Sequence, residues 1–486
     1  FLLNTYYVPD EYWQSLEVAH KEVFGYGYLS WEWKVQDPIR TPLHMLIFAF
    51  LYKFLKITGL DYPLLIVYLP RLLSAFIASL HDFYLLKLAQ IHFGKIYVVP
   101  VMIFNFTNWF SLFAYPRLII NSLESTLFII SLYYYKLSFQ ISNIKYDYIS
   151  RLLVIVNFIM RPTSIIPFVF IWPFKLFTMY GDMRKKIKYF FLNVQTLLLM
   201  LTFSIIFDIL YFQKFTWTVL NFFIFNVVKN FSIIYGTHDK LWYFTVCIPH
   251  FFLANLPFLL FGIFIIFSQK LKSKISESQD ILYGTIFYII FISMIAHKEN
   301  RFILNGLSIL ILYAAYGYQN MTSKKLQKLI LLLGILSNII LFIFMGFYFQ
   351  QGSFSIFSEL RNRIQNVDSV YFFTECHSTP LYSFLHKNIP MDFPDCSPEN
   401  RLQEISDSLL LFKDPYNFIN NALSLFNYSH IVLLNTFTNL ENIQELLSQK
   451  GYQKIKEIFH SPFMESPIGD LSNVYFVLYE NNNKQI

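Results

Sequence analysis

Apolar runs close to the length of a bilayer crossing recur through this chain up to about residue 350, and they restrict it to very few folds. A helix spans the hydrocarbon core with about 20 apolar residues, because each adds 1.5 Å of rise. The stretches 64–90, 96–115, 118–137, 149–180, 190–212, 245–268, 281–296, 303–319 and 328–349 reach that length or come near it. Lipid offers backbone amides no partner, so helices, which bond internally, can cross it and open sheets cannot. The pattern therefore predicts an all-α polytopic membrane bundle with about nine to twelve spans. A composition 55% hydrophobic and only 14% charged agrees. The net charge of +7 is modest for 486 residues and sits in short loops, so no nucleic-acid surface is expected.

Lys and Arg in short loops report the cytoplasmic side. Three such loops are Arg184–Lys188, Lys270–Lys274 and Lys324–Lys328. Counting spans from them puts His297 and everything after the 328–349 span on the opposite, non-cytosolic face. From about residue 355 the pattern turns to that of a soluble protein. Strand-like SVYFFT (369–374), HIVLLNT (430–436) and VYFVLYE (474–480) alternate with helical patterns such as LENIQELLSQKGY (440–452). The expected division is a membrane domain over 1–350 and a small lumenal α/β domain over 351–486. Cys376 and Cys396 fall in that domain and are candidates for one disulfide in an oxidising compartment. Cys247 lies in an apolar run and is expected only to pack. The chain opens on Phe, and FLLNTYYV reads as the tail of a first helix.

Within this apolar background a few polar groups need a reason. AHKENRF (296–302) crowds His297, Lys298, Glu299 and Arg301 between two apolar runs, although charge at bilayer depth costs roughly 2.5–3.5 kcal/mol per group. One reading is a snorkelling helix end. The other is a phosphate site: in a helical turn His297 and Arg301 share a face at i, i+4, Lys298 lies beside them, and Glu299 is an internal counter-ion. VPDEYWQSLEVAH (8–20) places Asp10 and Glu11 after Pro9 at a helix start. They are either acids complementing the helix dipole or a base held at the membrane boundary. Tyr12, Leu16, Ala19 and Val23 then form an apolar stripe, expected to lie on the membrane. Trp13, Gln14, Asp82, Arg161 and the set Arg117, Asn121 and Glu124 (i, i+4, i+7) are candidates for a polar cavity in the bundle. No phosphate-binding Gly loop, HExxH, GxSxG or Asp-x-Asp occurs, so no metal site is expected. A lipid transporter or scramblase is a remote alternative, and the repeated halves common in transporters are not visible.

AHKENRF is similar to the HKExRF signature of glycosyltransferase family 22, the dolichyl-phosphate-mannose-dependent mannosyltransferases of GT-C fold. VPDEYWQSLEVAH with FGYGYLSWEW (24–33) resembles the branch of that family that works on the GPI anchor. So do PRLLSAFIASLHD (70–82), RLIINSLE (117–124), RPTSI (161–165), FNVVKNFSIIYGTHDKLWYF (225–244) and CHSTPLYSFLHKNIPM (376–391). The resemblance runs from residue 5 to about 480. It implies an inverting α1,2-mannosyltransferase of the endoplasmic reticulum membrane with a lumenal site. The implied donor substrate is dolichyl phosphate mannose, with no cofactor, and the implied acceptor is a GPI precursor glycolipid awaiting its third mannose. It further implies Asp10, then Glu11, as base, and His297, Lys298 and Arg301 on the donor phosphate with Glu299 orienting them. The alternative is a sister enzyme adding the fourth GPI mannose or extending a dolichol-linked N-glycan precursor. Protein partners are not specified by any of these motifs.

Overall fold

Side chains that face lipid invert the usual inside–outside rule, and this protein shows it on its long helices. Among the described residues, five helical stretches are long and apolar enough to cross a membrane: Pro63–His92, Met183–Phe212, Tyr243–Ser268, Asn300–Asn320 and Lys324–Asn362. On the last of these Leu329, Leu332, Leu336 and Ile340 are exposed while Asn338 is fully buried. In lipid that arrangement places the apolar face in the solvent it prefers and the polar group among protein partners. The computed structural model describes residues 3–34, 36, 38–179, 183–270, 279–402 and 406–482. The basic stretch 271–274 lies outside the described residues.

In chain order the main helices are α1 (Glu17–Phe24), α2 (Leu43–Thr58), α3 (Pro63–His92), α4 (Val98–Thr107), α5 (Trp109–Ala114), α6 (Ile120–Gln140) and α7 (Ile144–Met160). They continue as α8 (Ile166–Thr178), α9 (Met183–Phe212), α10 (Leu256–Lys270), α11 (Asp280–Met294), α12 (Leu304–Asn320), α13 (Lys324–Ile343) and α14 (Gly352–Asn362). The fold is a helical membrane bundle with a small C-terminal α/β part. Two compact units form: residues 35–44 and 71–342 make one, and residues 1–34, 45–70 and 343–486 make the other.

Two expected spans are interrupted. The run 96–115 breaks at Asn108, whose backbone is extended at φ −72, ψ 119 and whose Oδ1 caps α5 by accepting from Ser111 N at 2.9 Å. The amide freed at Trp109 donates to Asn338 Oδ1 at 2.9 Å, so a buried Asn satisfies the break. The run 149–180 breaks at Arg161 before Pro162, which cannot donate a helical bond. Residues 3–8 are not helical; Asn4 N and Tyr6 N donate to Gly346 O and Gln350 O instead.

The C-terminal strands are β1 (Val370–Phe373), β2 (Met391–Asp392), β3 (His430–Leu434), β4 (Tyr452–Met464) and β5 (Leu471–Asn481), in the spatial order β2-β1-β3-β5-β4. β1 pairs parallel with β2 and β3; β5 runs antiparallel to β3 and β4. β1 and β3 are buried throughout, as apolar runs in the parallel part of a sheet must be. The helix Glu441–Gln449 lies in its expected place. β4 has no counterpart in the sequence reading, because Lys454, Lys456 and Glu457 point outward and mask its alternation; such charges are what guard an edge strand. Cys376 and Cys396 are disulfide-bonded.

α10 and α12 meet at two glycines. A Cβ on Gly317 would lie 2.0 Å from Phe258 O, and one on Gly262 2.0 Å from Tyr313 O. Gly317→Val should therefore force the helices apart and cost at least about 1–3 kcal/mol, read as a lower melting temperature in detergent. Gly306→Ala, whose Cβ would sit 3.4 Å from Ile289 Cδ1, should be tolerated in the same assay.

Candidate active site

α11 ends at Met294, Ile295 turns extended, and the chain reaches a 3-10 turn only at Asn300–Ile303. AHKENRF is thus not a helical turn, and His297 and Arg301 do not share a helix face as expected. Glu299, extended at φ −134 and ψ 153, joins them through its carboxylate. Its Oε2 lies 2.7 Å from Arg301 Nε and its Oε1 2.8 Å from Arg301 Nη2, a two-point pair, while His297 Nε2 lies 3.0 Å from Oε1. His297 Nδ1 faces Gly236 O at 2.9 Å. Both ring nitrogens thus face acceptors, which favours the doubly protonated imidazolium. Burial works against that charge, but the Glu299 hydrogen bond and charge, with the Gly236 carbonyl, outweigh it and raise the His297 pKa. Burial likewise disfavours ionised Glu299, yet the Arg301 guanidinium and the His297 hydrogen bond hold its carboxyl well below the usual range.

Lys298 turns the other way. Its Nζ donates to Ile295 O at 2.6 Å, His238 O at 2.9 Å and Ala296 O at 3.4 Å, closing the carbonyl end of α11. His238 N donates to Ala296 O in return, and Tyr243 OH reaches Glu299 O at 3.2 Å. The segment 236–243 is therefore what braces this loop.

Deeper in the same unit, Arg161 and Glu124 form an ion pair at 2.8 Å, with Glu124 only 1% exposed. Asn305 Nδ2 donates to Glu124 Oε1 at 2.8 Å, Asn157 Nδ2 to Glu124 O at 3.0 Å, and Arg161 Nη1 reaches Asn121 Oδ1 at 3.5 Å. The guanidinium carbons of Arg161 and Arg301 lie 5.2 and 5.4 Å from the Phe302 ring centroid. Asn121, Glu124 and Arg161 thus come together as expected. Arg117 does not share a helix face with them, because the chain bends at Tyr115–Leu118 and α6 begins only at Ile120. Its Nε donates to Phe113 O at 3.2 Å, and its guanidinium covers the Phe113 ring at 4.2 Å. Asp82 belongs to another set: Oδ1 accepts from Asn105 at 2.8 Å and faces His81 Nδ1 at 3.2 Å, and His81 Nε2 meets Ser308 Oγ at 2.8 Å. Asn157 and Asn305 were missed, although an Asn one turn from a charged break in an apolar run is a usable signal.

The acid pair lies in the other unit. Asp10 is the first helical residue and half-buried; Glu11 is 3% exposed, and Tyr12 OH approaches its Oε1 at 3.4 Å. A π-helical turn, Tyr12–Leu16, follows and runs into α1. The apolar stripe does not lie on a membrane, because Tyr12, Leu16 and Ala19 are fully buried in protein. Tyr12 packs edge-on to Phe354 and Phe384 at 5.5 and 5.3 Å. Trp13 Nε1 donates to Thr379 O at 3.1 Å and Gln14 Nε2 to Glu32 Oε1 at 3.2 Å, so both are held in packed surroundings. Glu17 is buried and accepts from Leu381 N, Ser383 N and Ser383 Oγ at 2.8, 3.2 and 2.6 Å. His20 donates from Nδ1 to Tyr26 O and meets His386 Nδ1 at 2.9 Å; burial, then His386, push it down to about 3, so it stays neutral. Among the described residues, Cys376, His377 and Cys396 are the His, Cys and acid side chains grouped closely enough for a metal, but both sulfurs are spent in the disulfide.

Residues 1–386 match the Alg9-like mannosyltransferase family. The chain belongs to that family. This mannosyltransferase is 32% identical to Mannosyltransferase APTG1 of Arabidopsis thaliana, covering 95% of this chain and 86% of that protein. It is 32% identical to GPI alpha-1,2-mannosyltransferase 3 of Homo sapiens, over 98% and 84%, and 30% identical to GPI mannosyltransferase 3 of Yarrowia lipolytica, over 95% and 91%. Among solved structures, apo ArnT from Cupriavidus metallidurans shares the fold at a TM-score of 0.60 with 11% identity, over 98% of this chain and 94% of that one. The Archaeoglobus fulgidus oligosaccharyltransferase shares it at 0.55 with 12% identity, over 96% and 70%.

The geometry around Glu299 predicts a pH dependence for this mannosyltransferase. Because the folded His297 pKa is raised, its stabilising contribution is complete below the ordinary value of about 6.5 and is lost as pH rises through the raised value. The melting temperature in detergent should decline over that interval in the wild type. In Glu299→Gln the interval should vanish, with a lower stability at its acid end.

Proposed function

We propose that this enzyme transfers a mannosyl residue in α1,2 linkage from dolichyl phosphate mannose to a GPI precursor bearing two mannoses. The reaction takes place at the lumenal face of the endoplasmic reticulum membrane. What carries the acceptor assignment is the near-full-length likeness to relatives that bear that activity in their names. The donor is β-linked and the product α-linked, so one displacement with inversion accounts for the outcome. The acceptor hydroxyl oxygen forms its bond to C1 as the bond from C1 to the phosphate oxygen breaks. The hydroxyl proton passes to a carboxylate, and dolichyl phosphate leaves with the bonding pair.

Asp10 is the base in this reading and Glu11 the second choice; the partial exposure of Asp10 and the burial of Glu11 support that order. A phosphate leaves readily as an anion, so neutralising its charge matters more than protonating it. His297 and Arg301 supply that neutralisation. Glu299 fixes their direction. Lys298 adds to the local potential from its seat on the α11 carbonyls. No metal step is involved in this scheme.

Asp10→Asn should abolish growth rescue of cells blocked at the third GPI mannose while the protein remains folded in the membrane, with a two-mannose GPI precursor accumulating. Rescue at the wild-type level would remove Asp10 as the base. A truncated dolichol oligosaccharide accumulating instead would redirect the acceptor assignment to the sister reaction. Arg301→Ala should raise the apparent KM for the donor at least tenfold and change that for the acceptor by less than about twofold, a split expected when a charged hydrogen bond worth about 1.5–3 kcal/mol is lost.

A further inference from the structure

We infer that Glu17 is a positioning residue that sets the acid pair by locking its helix into the carboxyl end of the C-terminal sheet. The inference rests on the assignment of the base to Asp10 or Glu11. Residues 10–24 form one continuous helical run, so the acid pair and Glu17 move as a body. The Glu17 side chain is fully buried, and it meets a set of converging donors. Oε1 accepts from Leu381 N at 2.8 Å, Ser383 N at 3.2 Å and Ser383 Oγ at 2.6 Å; Oε2 accepts from Tyr382 N at 3.0 Å. Three successive backbone amides aimed at one point make a concavity suited to an anion, and here the chain supplies the anion itself.

Two more bonds fix the N-terminal segment to the same loop, one from the helix and one from the extended residues before it. Tyr6 OH donates to His377 O at 2.6 Å and Trp13 Nε1 to Thr379 O at 3.1 Å. The Trp13 ring lies 4.2 Å from His377 and 5.0 Å from Phe393, centroid to centroid. The loop 374–383 leaves the carboxyl end of β1, and the Cys376–Cys396 disulfide ties it to the segment leaving the carboxyl end of the parallel neighbour β2. Open α/β sheets bind their ligands at that edge. In this enzyme the edge is occupied by the N-terminal segment, which gives the C-terminal domain a task in catalysis without contact with substrate.

A carboxylate suits this place better than an amide, since every group facing it is a donor. Glu17→Gln would set an NH2 against an N–H or the Ser383 hydroxyl, and Glu17→Asp would keep the charge but fall one methylene short. With the full-length enzyme in nanodiscs, Glu17→Gln should lower kcat by roughly 10- to 100-fold, the loss expected for a base displaced by about 1 Å. KM for dolichyl phosphate mannose should stay within about twofold, because the phosphate ligands are untouched. Hydrogen exchange of amides 10–16 should quicken while those of β3 stay protected. Glu17→Asp should recover part of kcat, and Ser383→Ala, which removes one bond, should give a smaller loss of the same kind. Wild-type kcat in Glu17→Gln, or a lowered kcat with unchanged exchange over 10–16, overturns the inference. If Glu17→Gln does not fold, Ser383→Ala decides: a kcat equal to wild type overturns it. Loss of turnover in Asp10→Asn beside normal turnover in both Glu17→Gln and Ser383→Ala removes this inference alone. Normal turnover in both Asp10→Asn and Glu11→Gln removes the base assignment and this inference with it.

Discussion

A helix interrupted in a bilayer must find partners for the backbone groups it frees, because the hydrocarbon offers none. Polar side chains gather at interruptions in the membrane unit, and some of them take the freed groups. Asn338 takes the amide of Trp109 where the run 96–115 breaks. Asn157 bonds the carbonyl of Glu124 beside the break at Arg161. Lys298 covers the carbonyls of Ile295 and Ala296 where α11 stops. Each interruption collects polar residues for structural reasons, and those residues make chemistry possible at the same places. The signature around His297 is such a case: the helix stops at Met294, and Glu299, extended ahead of the 3-10 turn at Asn300–Ile303, comes between His297 and Arg301.

Charge pairing follows the same logic. A buried ion pair gains little net stability over an apolar substitute, whereas removing one partner from it costs about 3–5 kcal/mol. Glu124 and Arg161 are matched and further bonded by Asn305 and Asn121, so that pair is a neutral, fixed element of the core. In the Glu299 set one carboxylate serves both His297 and Arg301. Arg301 is held from two atoms, which fixes the plane of its guanidinium, and the donors it does not use on Glu299 keep a defined direction.

The apolar spans, the strands β1, β3 and β5, and the Cys376–Cys396 pair were legible in the sequence because each rests on a local pattern or on a simple count. The same holds for the cluster at His297 to Arg301, which stood out as charge in an apolar setting. Its internal geometry was not legible. Spacing i, i+4 predicts contact only if the turn is helical, and α11 ends at Met294, before His297. Arg117 misled for the same reason, since Pro116 keeps it outside α6. Glu17 and Ser383 lie 366 residues apart, and nothing local to either marks the bond. Yet PDEYWQSLE and CHSTPLYSF were both singled out as specific segments, and the structure gives the physical reason: they are the two sides of one contact.

A general base and a phosphate-binding cation set make opposite demands on their surroundings. A carboxylate close to an imidazolium and a guanidinium is held in its charged form so firmly that it becomes a poor proton acceptor, as Glu299 shows by its depressed pKa. If the same carboxylate had to be both counter-ion and base, one function would be lost. In the proposed mechanism the tasks are divided. Glu299 serves the cations in the membrane unit, and the acid pair is carried by the other unit, on a helix anchored through Glu17 to backbone amides and not to Lys or Arg. Anchoring by amides fixes the helix that carries Asp10 without a Lys or Arg at the Glu17 anchor. The C-terminal α/β part thus supplies rigid, uncharged donors to the helix that carries the acid pair.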